Sequence, residues 1–169
     1  MYAITLHQRT LHISMGNEVR KNYMKELRLI DNIDNNQYIK FINYAVKKCD
    51  SFSITKFKHM RYDYSIDNAL SELIQVNDSK AKYNRLINYR KGSKVLEFLI
   101  NDKSKKYLIS ANGLYEWKPP LYYEDLTFYK NQKIWLRSIT HEKLAFMNLE
   151  FKEDINYLMN KLNICLLDN

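Results

Sequence analysis

Residues 114–146, LYEWKPPLYYEDLTFYKNQKIWLRSITHEKLAF, contain both prolines and both tryptophans of the 169-residue chain. Within this stretch, DLTFY (125–129) and IWLRSI (134–139) are rich in aromatic and β-branched residues, a composition typical of strands. The short polar stretch Lys130–Lys133 between them predicts a hairpin turn. KLAFMNL (143–149) follows a second turn and predicts a third strand. The stretch therefore predicts a C-terminal β-meander.

The rest of the chain adds strands and helices around this meander. SFSITKF (51–57) and KVLEFLI (94–100) predict two further strands. Apolar residues recur at helical spacing in several other segments. The predicted helices span residues 19–30, 36–49, 66–76, 102–112 and 151–163. We therefore expect an α+β fold, in which a mostly antiparallel sheet of four or five strands packs with four to six helices and the C-terminal meander is followed by a helix.

The length suits one domain spanning residues 1–169. Residues 1–15 predict either a short N-terminal hairpin or a leader before a true start at Met15. No apolar run approaches the roughly 18 residues of a membrane span, so we expect a soluble cytoplasmic protein. Cys49 and Cys165 lack the spacing of a metal site and sit among apolar residues, which predicts buried free thiols.

The positive charge of the chain is concentrated in one segment. The net charge is +8, and residues 80–106 contain nine Lys or Arg against two acidic residues. We call residues 80–106 the basic segment. Cations beside tyrosines suit a nucleic-acid backbone with base stacking, and they equally suit an acidic protein surface. The candidate binding residues are Lys80, Lys82, Tyr83, Arg85, Tyr89, Arg90, Lys91, Lys94, Lys105 and Lys106.

Two adjacent pairs invite a catalytic interpretation. His141 and Glu142 are residue types that suit general acid–base catalysis, and Glu124 and Asp125 suit cation binding or paired carboxylates. The alternative to a catalytic role is a structural one. His141 and Glu142 would then belong to a hairpin turn, and Glu124 and Asp125 to the polar residues that lead into a strand. On a regular strand, the neighbouring side chains of His141 and Glu142 would point to opposite faces and not bond to each other. The sequence contains no phosphate-binding loop, no nucleophile elbow and no H-E-x-x-H motif, so no catalytic residue, metal ligand or cofactor is assigned.

FINYAVKKCDSFSI (41–54) and residues 114–147 resemble a widespread uncharacterised family of small bacterial proteins. The shared elements are Tyr-Ala…Cys-Asp-x-Phe and Leu-Tyr-x-Trp…Glu-Asp-Leu-x-Phe-Tyr…Trp-Leu-x-Ser-Ile-x-His-Glu. Members look like accessory or immunity-type proteins of bacteria and their mobile elements, with no established activity. The chain departs from the family at Tyr123, where members often have proline, and over residues 59–92. The family-pattern positions are Cys49, Asp50, Trp117, Glu124, Asp125, Trp135, His141 and Glu142.

Three functional hypotheses follow. The first is a small non-enzymatic interaction protein that binds and blocks a protein partner such as a nuclease or a ribonucleoprotein. An immunity-type protein, or an anti-CRISPR-like inhibitor of a bacterial defence nuclease, would fit it. The second is a module that binds RNA or DNA through the basic segment. The third is a hydrolase or transferase that uses His141 and Glu142 together with Glu124 or Asp125.

Overall fold

The computed structural model describes residues 26–30, 32–76 and 93–168. Within these ranges the chain forms four helices and a single antiparallel sheet of seven strands. The expected sheet of four or five strands was therefore too small. The elements in chain order are β1 (Glu26–Leu29), α1 (Asn35–Lys48), β2 (Ser51–Lys56), α2 (Ser65–Ser71), β3 (Lys94–Leu99), α3 (Asp102–Ser110), β4 (Glu124–Lys130), β5 (Lys133–Ile139), β6 (Leu144–Asn148), α4 (Lys152–Leu162) and β7 (Leu166–Asp168).

The strand order is β3-β2-β4-β5-β6-β1-β7. The central strands β4, β5 and β6 form the meander of residues 124–148, and α4 follows it. The turn between β4 and β5 has two left-handed residues, Asn131 with φ 51° and Gln132 with φ 63°. Two consecutive left-handed residues match the twist of the flanking strands, which is why this turn closes a tight hairpin.

The two strands that the sequence did not predict are β1 and β7. Residues 19–30 were predicted as a helix, and this is wrong for Glu26–Leu29. Leu27 and Leu29 alternate with more exposed residues, and β1 pairs with β6 on one side and β7 on the other. Glu, Leu and Arg are good helix formers, but their propensity differences amount to only a few tenths of a kcal/mol per residue, and backbone hydrogen bonds along both edges outweigh them. The strand β7 has only three residues, too few for a periodic signal.

Helices α1, α3 and α4 are close to their predicted ranges, whereas α2 is shorter. The helix predicted at 66–76 ends at Ser71, and the following residues run along β3, where the Val76 amide donates to the Glu97 carbonyl at 2.8 Å. An Asn101–Ser104 capping box starts α3, since each residue satisfies a backbone N–H of the other.

The buried face of α1 meets the sheet through aromatic rings. Phe41 stacks on Trp135 with ring centroids 6.0 Å apart and meets Phe128 edge-on at 6.1 Å. Such pairs add to the burial of apolar area. About one turn earlier on α1, the Trp117 indole donates to the Tyr38 hydroxyl at 2.9 Å, and that hydroxyl donates to the Leu108 carbonyl at 2.7 Å. This chain of hydrogen bonds fixes α1 against α3.

The Asp154 carboxylate of α4 is buried and accepts three side-chain hydrogen bonds. The donors are the Tyr44 hydroxyl at 2.7 Å, the Lys130 ammonium at 2.6 Å and the Trp135 indole at 2.9 Å. Burial by itself raises the pKa of Asp154, but these donors more than offset it and hold the pKa below its usual value. The ionised carboxylate therefore stabilises the fold above pH 3.8, and this contribution is lost as the pH falls through the lowered pKa.

Several sequence predictions fall outside the described residues or are changed by the structure. The hairpin or leader at residues 1–15 lies outside them. Cys49 is buried as expected, whereas Cys165 is exposed, so the prediction of a buried thiol is wrong there. No described helix is long and apolar enough to cross a membrane.

Replacing Asp154 by alanine should lower the free energy of unfolding by about 3–5 kcal/mol, because it leaves the Lys130 charge, the buried Trp135 indole and the half-buried Tyr44 hydroxyl without their acceptor. Urea unfolding at pH 7 measures the change. The matched control is Glu153→Ala, which removes an exposed acid from the same helical turn and should cost less than about 1 kcal/mol. Equal losses for the two variants would contradict the role of Asp154.

Candidate functional site

Seven of the ten candidate binding residues of the basic segment lie outside the described residues: Lys80, Lys82, Tyr83, Arg85, Tyr89, Arg90 and Lys91. Of the other candidates, Lys94 and Lys106 are exposed and Lys105 is half-buried. The structure does show where the chain enters and leaves this part of the sequence. On one side, the Val76 amide donates to the Glu97 carbonyl of β3, and on the other side β3 itself begins at Lys94. Residues 77–92 therefore connect two segments that lie at one edge of the sheet.

Exposed apolar side chains lie at this edge. Ile74 is 57% exposed and Leu99 is 42% exposed, and the Leu99 amide donates to the Ile74 carbonyl at 2.9 Å. Lys103 reaches the neighbouring Glu72 at 3.9 Å, and Lys106 lies one turn further along α3 on the same side. We call Ile74, Leu99, Lys103 and Lys106 the β3 edge surface.

A second candidate site lies where β4 begins. The register between β2 and β4 shifts between Ser53 and Thr55, because Ser53 pairs with Thr127 and Thr55 pairs with Glu124. Two residues of β2 therefore span three of β4, which defines a β-bulge. The bulge contains Asp125 in the left-handed conformation, with φ 57°, a conformation that aspartate tolerates better than most residues.

The bulge brings together two carboxylates that a regular strand would separate. One oxygen each of Glu124 and Asp125 and one ring nitrogen of His141 all lie within 4.8 Å of one another. We call Glu124, Asp125 and His141 the carboxylate–histidine cluster. Neighbouring residues of a regular strand point to opposite faces, so the approach of Glu124 and Asp125 depends on the bulge, which the sequence does not reveal.

The cluster is held by hydrogen bonds between β4 and the residues that follow β5. Thr140–Glu142 form a 3-10 turn. The Thr140 amide donates to the Asp125 carboxylate at 2.9 Å, and the Asp125 amide donates to the Thr140 hydroxyl at 3.3 Å. This reciprocal pair fixes the turn, and with it the position of His141.

Glu124 is the least satisfied member of the cluster. Its side chain is 3% exposed, and its Oε1 atom has no hydrogen-bond partner among the residues that the structure describes. The hydroxyl of Thr55, its cross-strand neighbour, is likewise buried without a partner in the same part of the chain. An unpaired buried carboxylate is costly, so this position calls for a counter-charge or a proton.

His141 lies between two carboxylates. Its Nδ1 atom is 3.8 Å from Glu124 Oε2, and its Nε2 atom is 3.6 Å from Glu142 Oε1. The imidazole is 59% exposed, so it links the buried carboxylates to solvent. The structure thus places all four residues of the enzymatic hypothesis in one region, with Glu142 on the outer side.

Burial raises the pKa of Glu124, and the neighbouring Asp125 charge adds to this rise while His141 opposes it. Burial also raises the pKa of Asp125, against the hydrogen bond from the Thr140 amide. Both shifts favour the protonated acids. Two carboxylates that are hard to ionise next to an exposed imidazole can exchange protons with a bound molecule.

Three residues that complete the site were not identified from the sequence. Thr55 and Thr140 frame the two carboxylates, and Tyr62 packs edge-on against Tyr123 with ring centroids 4.7 Å apart. Burial raises the pKa of Tyr62, and the charges of Glu124 and Asp125 contribute to the shift. Thr55, Tyr62 and Thr140 lie far from one another or from the carboxylates in the sequence. Without the strand register, nothing in the sequence indicates that they belong to one site.

Comparison of the chain with protein-family models, with curated proteins and with solved structures found no match. The resemblance to the family of small bacterial proteins stays a prediction.

Glu124→Gln should stabilise the protein at pH 7 by roughly 1 kcal/mol, or about 3 °C in Tm, because it removes a buried charge that has one oxygen without a hydrogen-bond partner in the described residues. Because the pKa of Glu124 is raised in the folded state, the wild-type carboxyl stabilises the fold most while it is protonated, below its unfolded-state pKa of about 4.5. This contribution is lost as the pH rises through the folded-state pKa. The advantage of the variant should therefore vanish near pH 4. Thermal unfolding in a chelator at both pH values measures it.

The control for this experiment is Glu150→Gln, which changes an exposed glutamate and should move Tm by less than about 1 °C. A fall in Tm for Glu124→Gln at pH 7 would show that the fold stabilises the ionised Glu124 carboxylate, and it would contradict the conclusion that burying this charge is costly.

Proposed function

We propose that the protein is a small non-enzymatic interaction protein that binds and blocks an acidic protein partner through the β3 edge surface and the basic segment. The observation that carries the proposal is the position of the connection between α2 and β3. Residues 77–92, with five Lys or Arg against one acidic residue, join Val76, which pairs with β3, to β3 itself, beside the exposed side chains of Ile74 and Leu99.

The combination of apolar and cationic groups supports a protein partner over a nucleic acid. Apolar side chains that become fully buried form the centre of protein interfaces, while Lys and Arg around them select an acidic surface and speed the encounter. A phosphate backbone offers nothing apolar for Ile74 and Leu99 to contact. A nuclease, alone or with its bound RNA, is the class of partner that we propose, in keeping with the resemblance to immunity-type proteins.

Two sets of substitutions test this proposal in a pull-down from the host cell followed by mass spectrometry. Ile74→Asp, and the pair Arg85→Glu with Arg90→Glu, should each weaken capture of the same acidic protein at least tenfold. Lys152→Glu with Lys161→Glu makes the same charge change on α4, where both lysines are exposed, and should leave capture unchanged. Inhibition of the captured protein by the wild type, and not by the variants, completes the test.

The nucleic-acid alternative predicts a different result. Binding of RNA or DNA would weaken steeply with salt, with a log–log slope near −0.9 per phosphate contact on a duplex, and Ile74→Asp would change it little. Salt-dependent binding of this kind, without any captured protein, would replace the proposal by the second hypothesis.

The enzymatic hypothesis has one specific observation in its favour, which is the approach of His141 to Glu124 at 3.8 Å. It predicts that the purified protein turns over an ester, amide or phosphoester, and that His141→Ala reduces kcat at least a hundredfold while Tm stays unchanged. His59→Ala, an exposed histidine elsewhere in the chain, is the control. Turnover that survives His141→Ala would point to a contaminant and leave the interaction proposal in place.

A further inference from the structure

We propose that Glu124, Asp125 and His141 bind one divalent transition-metal ion, with Zn²⁺ as the best match. The inference is independent of the proposed partner, because the carboxylate–histidine cluster lies at the start of β4 and shares no residue with the β3 edge surface.

The donor set selects the type of metal. Two carboxylate oxygens and one imidazole nitrogen suit Zn²⁺, which takes oxygen at about 2.0–2.2 Å and histidine nitrogen at about 2.0–2.1 Å. Mg²⁺ and Ca²⁺ prefer ligand sets made of oxygen alone. Imidazole as one of three ligands therefore favours a transition metal.

The burial of Glu124 is the second observation that points to a ligand. Its Oε1 atom is buried and has no hydrogen-bond partner in the described part of the chain, although the same carboxyl lies 3.8 Å from His141. A metal ion supplies positive charge where a buried carboxylate needs it.

The distances between the ligand atoms are close to those of a bound site. Ligand atoms around tetrahedral zinc are about 3.4 Å apart, as follows from the bond lengths, and those of the cluster lie within 4.8 Å of one another. The largest of these separations exceeds the bound value by at most about 1.4 Å, and a rotation of the exposed His141 side chain brings its ring nitrogen closer to the carboxylates. The two carboxylates already point to one side because of the bulge at Asp125.

Glu142 has a positioning role in this site. Metal-bound histidines usually donate their second ring N–H to a carboxylate, which fixes the tautomer and the ring orientation. With Nδ1 facing Glu124, the Nε2 atom of His141 lies 3.6 Å from Glu142 Oε1, slightly beyond hydrogen-bond distance. Three protein ligands leave a fourth position for water, as in catalytic rather than structural zinc sites.

The experiment uses the full chain, stripped of metal with a chelator and titrated with ZnCl₂ in a calorimeter. We expect one Zn²⁺ per chain and little heat with MgCl₂. Glu124→Gln, Asp125→Asn and His141→Gln should each weaken binding at least a hundredfold, because each removes one of three ligands. Glu142→Gln should weaken it by about 10–100-fold, the range for an orienting carboxylate. Co²⁺ should give the visible absorption of a tetrahedral site, which His141→Gln abolishes.

The four histidines of the chain provide a matched control. The triple variant His7→Gln, His12→Gln, His59→Gln keeps His141 as its one histidine and should bind Zn²⁺ as the wild type does. Thermal unfolding gives a second measurement, since Zn²⁺ should raise the Tm of the wild type and of the triple variant, but not that of His141→Gln.

No binding by the wild type, or loss of binding in the triple variant with retention in His141→Gln, would overturn the proposal. Because His141 is exposed, its replacement should not unfold the protein, and equal Tm values without metal would establish this. Capture of the acidic partner by His141→Gln separates failure of the metal site from failure of the proposed function.

Discussion

The buried carboxylate of Asp154 is the interaction on which the packing of the sheet against its helices depends. It lies on α4 and accepts hydrogen bonds from Tyr44 of α1, Lys130 of β4 and Trp135 of β5, so one charged group joins four elements. The indole that donates to it also stacks on Phe41. A buried charge is tolerated only when its hydrogen-bonding capacity is filled, and three donors at short distance meet that condition.

The carboxylates at the start of β4 show the opposite situation. Asp154 is surrounded by donors and its pKa is lowered, whereas Glu124 has a buried oxygen without a partner in the described chain and its pKa is raised. The difference follows from the neighbours of each group. A lysine ammonium contacts Asp154, while Glu124 lies beside a second acid and an exposed imidazole. The charge of Asp154 has its hydrogen-bond donors within the fold, whereas a buried carboxylate without donors, such as Glu124, indicates a place where a ligand can bind.

The strongly periodic elements were predictable and the short ones were not. The helix of residues 35–48 and the strands of the meander have enough residues for a hydrophobic period to identify them. The strand Glu26–Leu29 was assigned to a helix, because four residues carry no reliable period and its two neighbours, β6 and β7, come from the far end of the chain. The underestimate of the sheet arises from this strand and from β7.

Local periodicity and composition were enough to predict the α+β class, the meander followed by a helix, and the concentration of positive charge in residues 80–106. The number of strands in the sheet, and the meeting of Glu124, Asp125 and His141, emerged only from the folded chain. The physical reason is that strand pairing and side-chain direction depend on contacts between distant residues. Because Asp125 has a left-handed conformation in the β-bulge, the neighbouring carboxylates of Glu124 and Asp125 both lie near His141.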